Sequence, residues 1–214
     1  IWFLAPMSTG VDKTFRAVQQ RLEMTVIHAV GSRKRNATVT RAGLLAAASG
    51  RFVREGYDSV SLREIASDAG VDVSLVSRYF GGKDELFAEV LAACPSGTEM
   101  FEGDIHDFGE RLATKIVIDA QEDKDLDCLL IILRSASSPK AREAIRRSGE
   151  ERFFGPIEKW LGGPNANVRA RLIADIVMGV TIDRVISDDL GLDDEAREQF
   201  RVRLARILQS AIEI

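Results

Sequence analysis

Three polar side chains recur along one side of a short segment centred on residue 76. Ser74, Ser77 and Arg78 supply two hydroxyl groups and a guanidinium group, which donate hydrogen bonds to phosphate oxygens and to base edges. The apolar residues of the segment take the opposite side at helical spacing: Val73, Val76 and Phe80. A short helix anchored by its apolar side and exposing such donors would fit the major groove of DNA.

The preceding residues predict a second short helix and a tight turn that position these donors. Ser61 is a good N-cap, and Glu64 completes a capping box three residues later. Gly70 can adopt the left-handed backbone conformation that a sharp turn needs, and Asp72 can cap the next helix. Helix pairs of this kind also occur in many proteins that do not bind nucleic acid, so the pair alone leaves both interpretations open.

A wider pattern surrounds the two helices. Phe52, Gly56 and Tyr57 close a preceding helix, and the sequences SLREIA, AGVDVSLVSRYF and GGKDELF follow in order from Ser61 to Phe87. Residues 38–90 therefore resemble the amino-terminal domain of the TetR (tetracycline-repressor-type) family of transcriptional regulators. The resemblance implies a three-helix domain containing a helix-turn-helix, which binds DNA.

The resemblance also implies which residues meet the duplex. Lys83 matches a lysine that contacts the DNA backbone in the family. The family usually places a tyrosine where this chain has Ser77, but Ser77 can donate one hydrogen bond and Tyr79 lies two residues on. The full set expected at the DNA is Arg33, Lys34, Arg35, Thr40, Ser61, Arg63, Ser74, Ser77, Arg78, Tyr79 and Lys83.

Charge is distributed unevenly along the chain. The formal net charge is −4 at pH 7, yet six basic residues and no acidic residue lie between Arg33 and Arg54. The run from Arg33 to Arg35 is either a solvated linker or an arm that follows the DNA backbone or enters the minor groove, and we favour the arm. Thr38 or Thr40 is expected to cap the helix that follows this run.

The length of 214 residues suits one small and one medium domain. We expect an extension with the basic arm over 1–37, the helix-turn-helix domain over 38–98, and a helical effector-binding and dimerisation domain over 99–214. Within the extension, residues 11–29 form either an extra helix or a weakly ordered segment, and Met7 or Met24 is a candidate biological start.

The fold is expected to be all-α. A helix from Lys83 to about Ala93 joins the two domains and is a candidate lever, and further helices are predicted near 104–121, 124–136, 139–161, 166–188 and 194–212. No strand-like alternation appears between them. No apolar run approaches the roughly 20 residues that cross a membrane, so no membrane partner is expected.

The last two predicted helices carry apolar stripes wide enough to cover the chain's own core and to face a second subunit. Burial within one chain is the alternative, but we favour a homodimer because such proteins read two-fold symmetric DNA sites. The resemblance implies a small-molecule effector site among the middle helices. Its candidate residues each have an easy structural role as well: His106, Arg134, Phe153, Phe154, Trp160 and Asp183.

Cysteine and histidine content bears on enzyme, metal and redox chemistry. Cys94 and Cys128 lack a CxxC spacing, and we expect inert buried thiols in a reducing compartment, with a disulfide or redox switch as the less favoured interpretation. With only His28 and His106, a multi-histidine metal site is not expected, and no cofactor is predicted. No nucleophile–base constellation is evident, which argues against an enzyme.

Together these observations predict a cytoplasmic, sequence-specific DNA-binding regulator. A homodimer would repress transcription from a palindromic operator and would be released by a small-molecule effector. The sequence leaves three alternatives open: an activator, a regulator that needs its ligand to bind DNA, and a helical ligand-binding protein without DNA function.

Overall fold

The computed structural model describes residues 37–96, 98–119, 123–187 and 189–213. The basic run from Arg33 to Arg35 and the two candidate starts, Met7 and Met24, lie outside the described residues. Within the described part the chain is helical and contains no strand, which confirms the all-α prediction.

The first four helices form a compact head. Helix α1 runs through residues 37–59, and it is followed by α2 (Leu62–Asp68), α3 (Ser74–Phe80) and α4 (Lys83–Ala92). Residue 37 is already helical, so neither Thr38 nor Thr40 is the N-cap of α1 and that prediction is wrong.

Six further α-helices follow, with short 3₁₀ turns at Thr98–Phe101, Ile105–Asp107 and Asp189–Gly191. They are α5 (Phe108–Val117), α6 (Asp123–Ser135), α7 (Pro139–Gly149), α8 (Gly155–Leu161), α9 (Ala166–Ile186) and α10 (Asp194–Ile212). The predicted helix over 139–161 is thus continuous except for one π-helical stretch, Glu150–Phe154, between α7 and α8.

Buried side chains form two hydrophobic clusters. The first cluster comprises Leu44, Ala48, Phe52, Tyr57, Val60, Ile65, Ala66, Val76, Phe80, Leu86, Phe87, Val90, Leu91, Ile131 and Ala141. The second cluster comprises Phe108, Leu112, Ala113, Ile116, Val117, Ile173, Leu190, Leu204, Ala205, Leu208, Ala211 and Ile212. The first cluster therefore takes residues from α6 and α7 as well as from the head, whereas the second joins α5, α9 and α10.

A glycine sets the closest helix contact in the second cluster. A Cβ atom at Gly109 in α5 would overlap the carbonyl oxygen of Ala205 in α10. The backbone N–H of Gly109 donates to the side-chain oxygen of Gln209 at 2.9 Å, so the two helices are also hydrogen-bonded there. Only a residue without a side chain allows the backbones to approach so closely.

The two cysteines are joined, which corrects the prediction of inert thiols. Cys94 and Cys128 form a disulfide with their Cα atoms 5.9 Å apart, across 34 residues of sequence. Cys94 follows the last turn of α4 and Cys128 lies on α6, and the fold brings these two positions together. Their spacing in sequence carries no sign of this, because the contact is made by helices that pack only in the folded state.

Candidate nucleic-acid interface

Helix α3 is held by its apolar side and exposes its polar side. Val76 is fully buried and Phe80 is 7% exposed, and both belong to the first cluster. Ser74, Ser77 and Arg78 are exposed. The predicted division between an anchored face and a polar face is therefore present in α3.

Two predicted members of α3 differ from this simple division. Val73 was expected to point inward, but it is 37% exposed, because α3 begins at Ser74 and Val73 is its N-cap residue. Its backbone is already helical (φ −60°, ψ −27°), but the side chain at this N-cap position is partly exposed. Tyr79 is half-buried and packs against the first cluster, so it presents only part of its ring to solvent.

Local hydrogen bonds fix the turn that leads into α3. Ser61 and Glu64 form the predicted capping box: the Ser61 hydroxyl accepts from the Glu64 N–H at 3.3 Å, and the Glu64 carboxylate accepts from the Ser61 N–H at 2.8 Å. Gly70 has a φ of 66°, which is the left-handed conformation that the turn was expected to need.

The start of α3 is fixed by a carboxylate. The backbone N–H of Ser74 donates to the Asp72 carboxylate at 2.8 Å. Hydrogen bonds from the side chain and backbone of Ser74 lower the pKa of the Asp72 carboxyl group. Asp72 thus stays ionised and caps the exposed first turn, and Ser74 reaches solvent from a fixed backbone position.

The basic residues of the head divide into paired and unpaired groups. Arg51 forms ion pairs with Glu55 at 2.9 Å and with Asp68 at 2.6 Å, and Arg41 pairs with Glu89. Within the described residues, Arg63 on α2 and Arg78 on α3 are exposed and have no acidic or carbonyl partner. Two guanidinium groups on the helix-turn-helix are therefore available to an external anion.

Lys83 opens α4 beside a buried tyrosine. Its ammonium group lies 4.4 Å from the centre of the Tyr57 ring, and burial lowers the pKa of Lys83. The Tyr57 hydroxyl donates to the Asp84 carboxylate, and burial together with that bond raises the pKa of Tyr57. The Lys83 ammonium is therefore half-buried on an aromatic face, which fixes its position at the amino end of α4.

The remaining predicted DNA-contact residues have the following environments. Thr40 is half-buried on α1. Ser61 is exposed, but its hydroxyl is already engaged with Glu64 in the capping box. The Ser61 hydroxyl therefore stabilises the start of α2, whereas the side chains of Ser77, Arg63 and Arg78 remain free to bind an external partner.

Three contacts between the head and the later helices were missed by sequence reasoning. The N–H of Tyr57 donates to the Ser135 hydroxyl at 3.0 Å, and Arg134 donates to the carbonyl oxygen of Val53. Arg152, in the π-helical stretch, donates to the carbonyl oxygen of Leu91 at 2.5 Å. Each joins residues more than fifty positions apart, so no local signal in the sequence indicates it.

One glycine at this junction did carry a signal. Gly56, at the end of α1, has a φ of 73° and abuts the backbone of Arg134 so closely that a Cβ atom would overlap it. Glycine is the residue expected where the backbone is left-handed and another backbone approaches. The sequence analysis placed the end of a helix at Gly56 and Tyr57, but it gave no sign of the contact with α6.

The residues predicted to line an effector pocket are dispersed. Trp160 packs at 5.0 Å from Phe108 in the second cluster, and Phe153 stacks edge-on against Phe154 at 5.5 Å. Asp183 accepts from the Ser187 hydroxyl at 2.8 Å, and His106 is exposed in a 3₁₀ turn. Arg134 serves the junction with α1. Their role at an effector site stays a prediction.

An open groove lies elsewhere, between the π-helical stretch, α8 and the first half of α9. Its volume is about 510 Å³. Phe154 is the one predicted effector residue in its wall, and the Arg171 guanidinium lies 4.1 Å above that ring. The lining residues are Glu150, Phe154, Glu158, Asn167, Val168, Arg171, Leu172 and Asp175.

The described residues hold neither a cluster of metal ligands nor a membrane-spanning helix. No three histidine, cysteine, aspartate or glutamate side chains gather there in a way that could hold a metal ion. No helix in that part of the chain is long and apolar enough to cross a membrane.

Two protein families match the chain over the two regions described above. Residues 44–90 match the family described as bacterial regulatory proteins, tetR family. Residues 106–212 match the tetracyclin repressor-like C-terminal domain. The first match covers the helix-turn-helix with its flanking helices, and the second covers α5 to α10.

Individual proteins are similar to the chain as well. The HTH-type transcriptional regulator HbdR of Aromatoleum sp. (strain CIB) is 31% identical over 127 residues, which are 54% of this chain and 53% of that protein. The chain thus spans about half the length of this curated relative.

Among solved structures, a TetR-family regulator from Streptomyces coelicolor A3 is 26% identical, with a TM-score of 0.52 over 83% of this chain and 96% of that one. NalD, the secondary repressor of the MexAB-OprM multidrug efflux pump in Pseudomonas aeruginosa, is 21% identical. Its TM-score is 0.59 over 81% of this chain and 97% of NalD, which shows that the fold is shared.

Proposed function

We propose that this chain, which belongs to the TetR family of DNA-binding transcriptional regulators, represses transcription as a homodimer and is released from its operator by a small molecule. Regulators of this family are not enzymes; they bind DNA operators, bind small-molecule effectors and form dimers. The operator's symmetry, the contact residues, the direction of regulation and the class of effector belong to the proposal.

The observation that carries the proposal is the exposed polar side of α3. Ser74, Ser77 and Arg78 face outward while Val76 and Phe80 are buried beneath them. A recognition helix must keep its donors free for base edges and must itself be rigid. The Asp72 cap and the capping box at Ser61 supply the rigidity.

The proposed DNA contacts divide by chemistry. Arg78 is suited to bidentate contact with a guanine, and Ser74 and Ser77 to single hydrogen bonds with bases or phosphates. Lys83 and Arg63 supply charge to phosphates, which positions the protein without specifying sequence. Tyr79, Thr40 and Ser61 add contacts at the edge of the surface, and the arm from Arg33 to Arg35 follows the backbone.

The proposed dimer surface lies on α9 and α10. Large apolar side chains there are exposed to solvent in the single chain: Val168 at 60%, Leu172 at 48%, Met178 at 40%, Val185 at 42%, Ile186 at 77% and Ile207 at 52%. Two copies that join through these helices form a four-helix bundle with two-fold symmetry. The two α3 helices would then meet half-sites about 34–36 Å apart.

The proposed effector acts through the separation of the heads. An apolar or amphipathic molecule that prefers the conformer with widely spaced heads would weaken binding to both half-sites at once. A differential affinity of about 1–3 kcal/mol per site is typical of such coupling. Because the DNA of a bacterial cell lies in the cytoplasm, we place the protein there.

Selection of bound sequences from a pool of random duplex DNA tests the proposal. We expect a palindromic sequence whose half-sites are one helical turn apart, and we expect its recovery to fall when an effective apolar metabolite is present. A selected sequence without two-fold symmetry would contradict the dimer, and failure to enrich any sequence would contradict specific DNA binding. Enrichment only in the presence of a metabolite would favour a ligand-dependent binder over a repressor.

A further inference from the structure

The disulfide lies at the carboxyl end of the helix that joins the head to the rest of the chain. Helix α4 begins at Lys83, on the proposed DNA side, and Cys94 follows its last turn. Cys128 holds this end from α6, across 34 residues of sequence. These are the chain's only two cysteines, so the bridge is a specific connection between the proposed lever and the second domain.

A second connection holds the same end of α4. Arg152, from the π-helical stretch after α7, donates to the carbonyl oxygens of Leu91 and Cys94. These oxygens are backbone acceptors at the end of α4. A guanidinium group suits them because the carboxyl end of a helix carries a partial negative charge. The end of the lever is therefore held by packing and hydrogen bonds that persist in any redox state, and by one covalent bond that does not.

The bridge is accessible to small molecules. Both Cys94 and Cys128 are only half-buried, and Ala92, Ala93 and Pro95 around the end of α4 are exposed. A buried structural disulfide would be shielded from an attacking thiolate, whereas a half-exposed one can exchange with it.

We propose that Cys94 and Cys128 form a reversible redox site, which strengthens operator binding when the bridge is closed and weakens it when the bridge is open. The reductant is a low-molecular-weight thiol and the oxidant is the corresponding small disulfide. In reduction, one thiolate attacks a protein sulfur, forms a mixed disulfide and releases the other cysteine as a thiolate. A second thiol then displaces the first, which leaves two protein thiols and one small disulfide, with two electrons transferred.

The expected direction of the change in operator affinity follows from how firmly the carboxyl end of α4 is held. With the bridge closed, the carboxyl end of α4 cannot move relative to α6, so the head is already positioned before DNA binds. With the bridge open, that end keeps the Arg152 hydrogen bonds and the packing of Val90 and Leu91 in the first cluster but loses its covalent tie to α6. Binding to two half-sites must then order the head more fully, at a cost in free energy. The inference rests on the proposed DNA-binding function and adds a signal to it that is independent of the effector.

The test compares one protein in two redox states. Full-length protein is oxidised with glutathione disulfide or reduced with dithiothreitol, and each form is titrated with the duplex obtained by selection. We expect the dissociation constant to rise about fivefold to tenfold on reduction, the lower part of the range for couplings of this kind. Removal of the dithiothreitol and reoxidation should restore the original affinity.

A double variant provides the matched control. Cys94→Ser with Cys128→Ser should bind the duplex like the reduced wild type under both conditions, because neither serine can form the bridge. Equal dissociation constants for oxidised and reduced wild type would overturn the redox site and leave the DNA-binding function standing. Absence of binding by both forms, with the fold intact by circular dichroism, would contradict the DNA-binding function and the redox site with it.

Hydrogen exchange supplies a readout that does not need DNA. Amides in the last turn of α4, from Val90 to Ala93, should exchange faster in the reduced protein and in the double variant than in the oxidised wild type. Amides of α10, which lies in the second cluster, should exchange equally in all three. Equal exchange in α4 would overturn the claim that the bridge restrains the lever.

Discussion

The two hydrophobic clusters lie beneath surfaces of different chemistry, one polar and one apolar. Above the first cluster, α3 presents hydroxyl groups and an unpaired guanidinium to solvent, and its apolar residues Val76 and Phe80 are buried beneath it. Above the second cluster, α9 presents Leu172, Met178 and Ile186. The same kind of core therefore supports two different surfaces, one suited to a polyanion and the other suited to apolar contact with protein.

The clusters also differ in how far they extend along the chain. The second cluster joins α5 with α9 and α10, whereas the first takes Ile131 from α6 and Ala141 from α7. By packing, α6 and α7 thus belong with the head, although α6 begins about thirty residues after α4 ends. A displacement of α6 would therefore disturb the packing of the head.

Removing one central phenylalanine from each cluster tests this division and should have the largest effect. Phe87 and Phe108 are both fully buried, and each lies 5.0 Å from another aromatic ring. Replacement by alanine should lower the free energy of unfolding by about 3–5 kcal/mol in either case, because it leaves a cavity. Chemical denaturation would measure both losses.

Hydrogen exchange then shows which helices each cluster supports. Phe87→Ala should accelerate exchange in α6 as well as in the head and spare α10, whereas Phe108→Ala should do the reverse. If the amides of α6 stayed protected in Phe87→Ala, the packing of Ile131 in the first cluster would not stabilise α6.

The apolar surface on α9 is the next target. Leu172→Glu would place a charge in the proposed dimer interface, and it should weaken dimerisation by about 2–4 kcal/mol, the size expected at the centre of an interface. Leu133→Glu is the matched control, because Leu133 is similarly exposed (43% against 48%) but lies on α6. Sedimentation should show monomers for the first variant only. Dimers in both, or monomers in both, would show that the interface lies elsewhere.

The head was largely predictable from sequence because its signals are local. The capping box at Ser61 and Glu64, the left-handed Gly70 and the buried Val76 each depend on residues within a few positions. At Val73 the apolar spacing was extended to the N-cap position before α3, where the side chain is partly exposed. The family resemblance added the expected roles of Lys83 and Ser77, which spacing alone does not supply.

The connections between the head and the later helices were not predictable in this way. The Cys94–Cys128 bridge and the bonds from Arg134 to Val53 and from Arg152 to Leu91 join distant parts of the chain. Such contacts follow from helix packing, which a single sequence does not determine. Aromatic residues such as Trp160 likewise carry no local sign of a ligand role, because they fill the core wherever helices meet.

The polar face of α3 is probed by Arg78→Ala. Losing a bidentate contact to a base should weaken operator binding by about 1–3 kcal/mol and relax specificity at one position of each half-site. Arg203→Ala on α10 is the matched control, since Arg203 is also an exposed arginine without a partner among the described residues. Binding curves for a panel of duplexes with single base changes measure both effects. An equal loss of operator affinity for Arg78→Ala and Arg203→Ala would show that Arg78 contributes only positive charge and does not read a base.

The smallest effect is expected at Lys83, and it changes the salt dependence of DNA binding more than the affinity itself. Lys83→Gln removes a charge that we assign to a phosphate, so the plot of log affinity against log salt should lose about one unit of slope per subunit. Sequence preference should stay unchanged, because phosphate contacts carry no base information. Lys115→Gln, on the exposed side of α5, is the control and should leave the slope as it is. An unchanged slope for Lys83→Gln would mean that its ammonium serves the Tyr57 ring alone, and that the DNA face ends at α3.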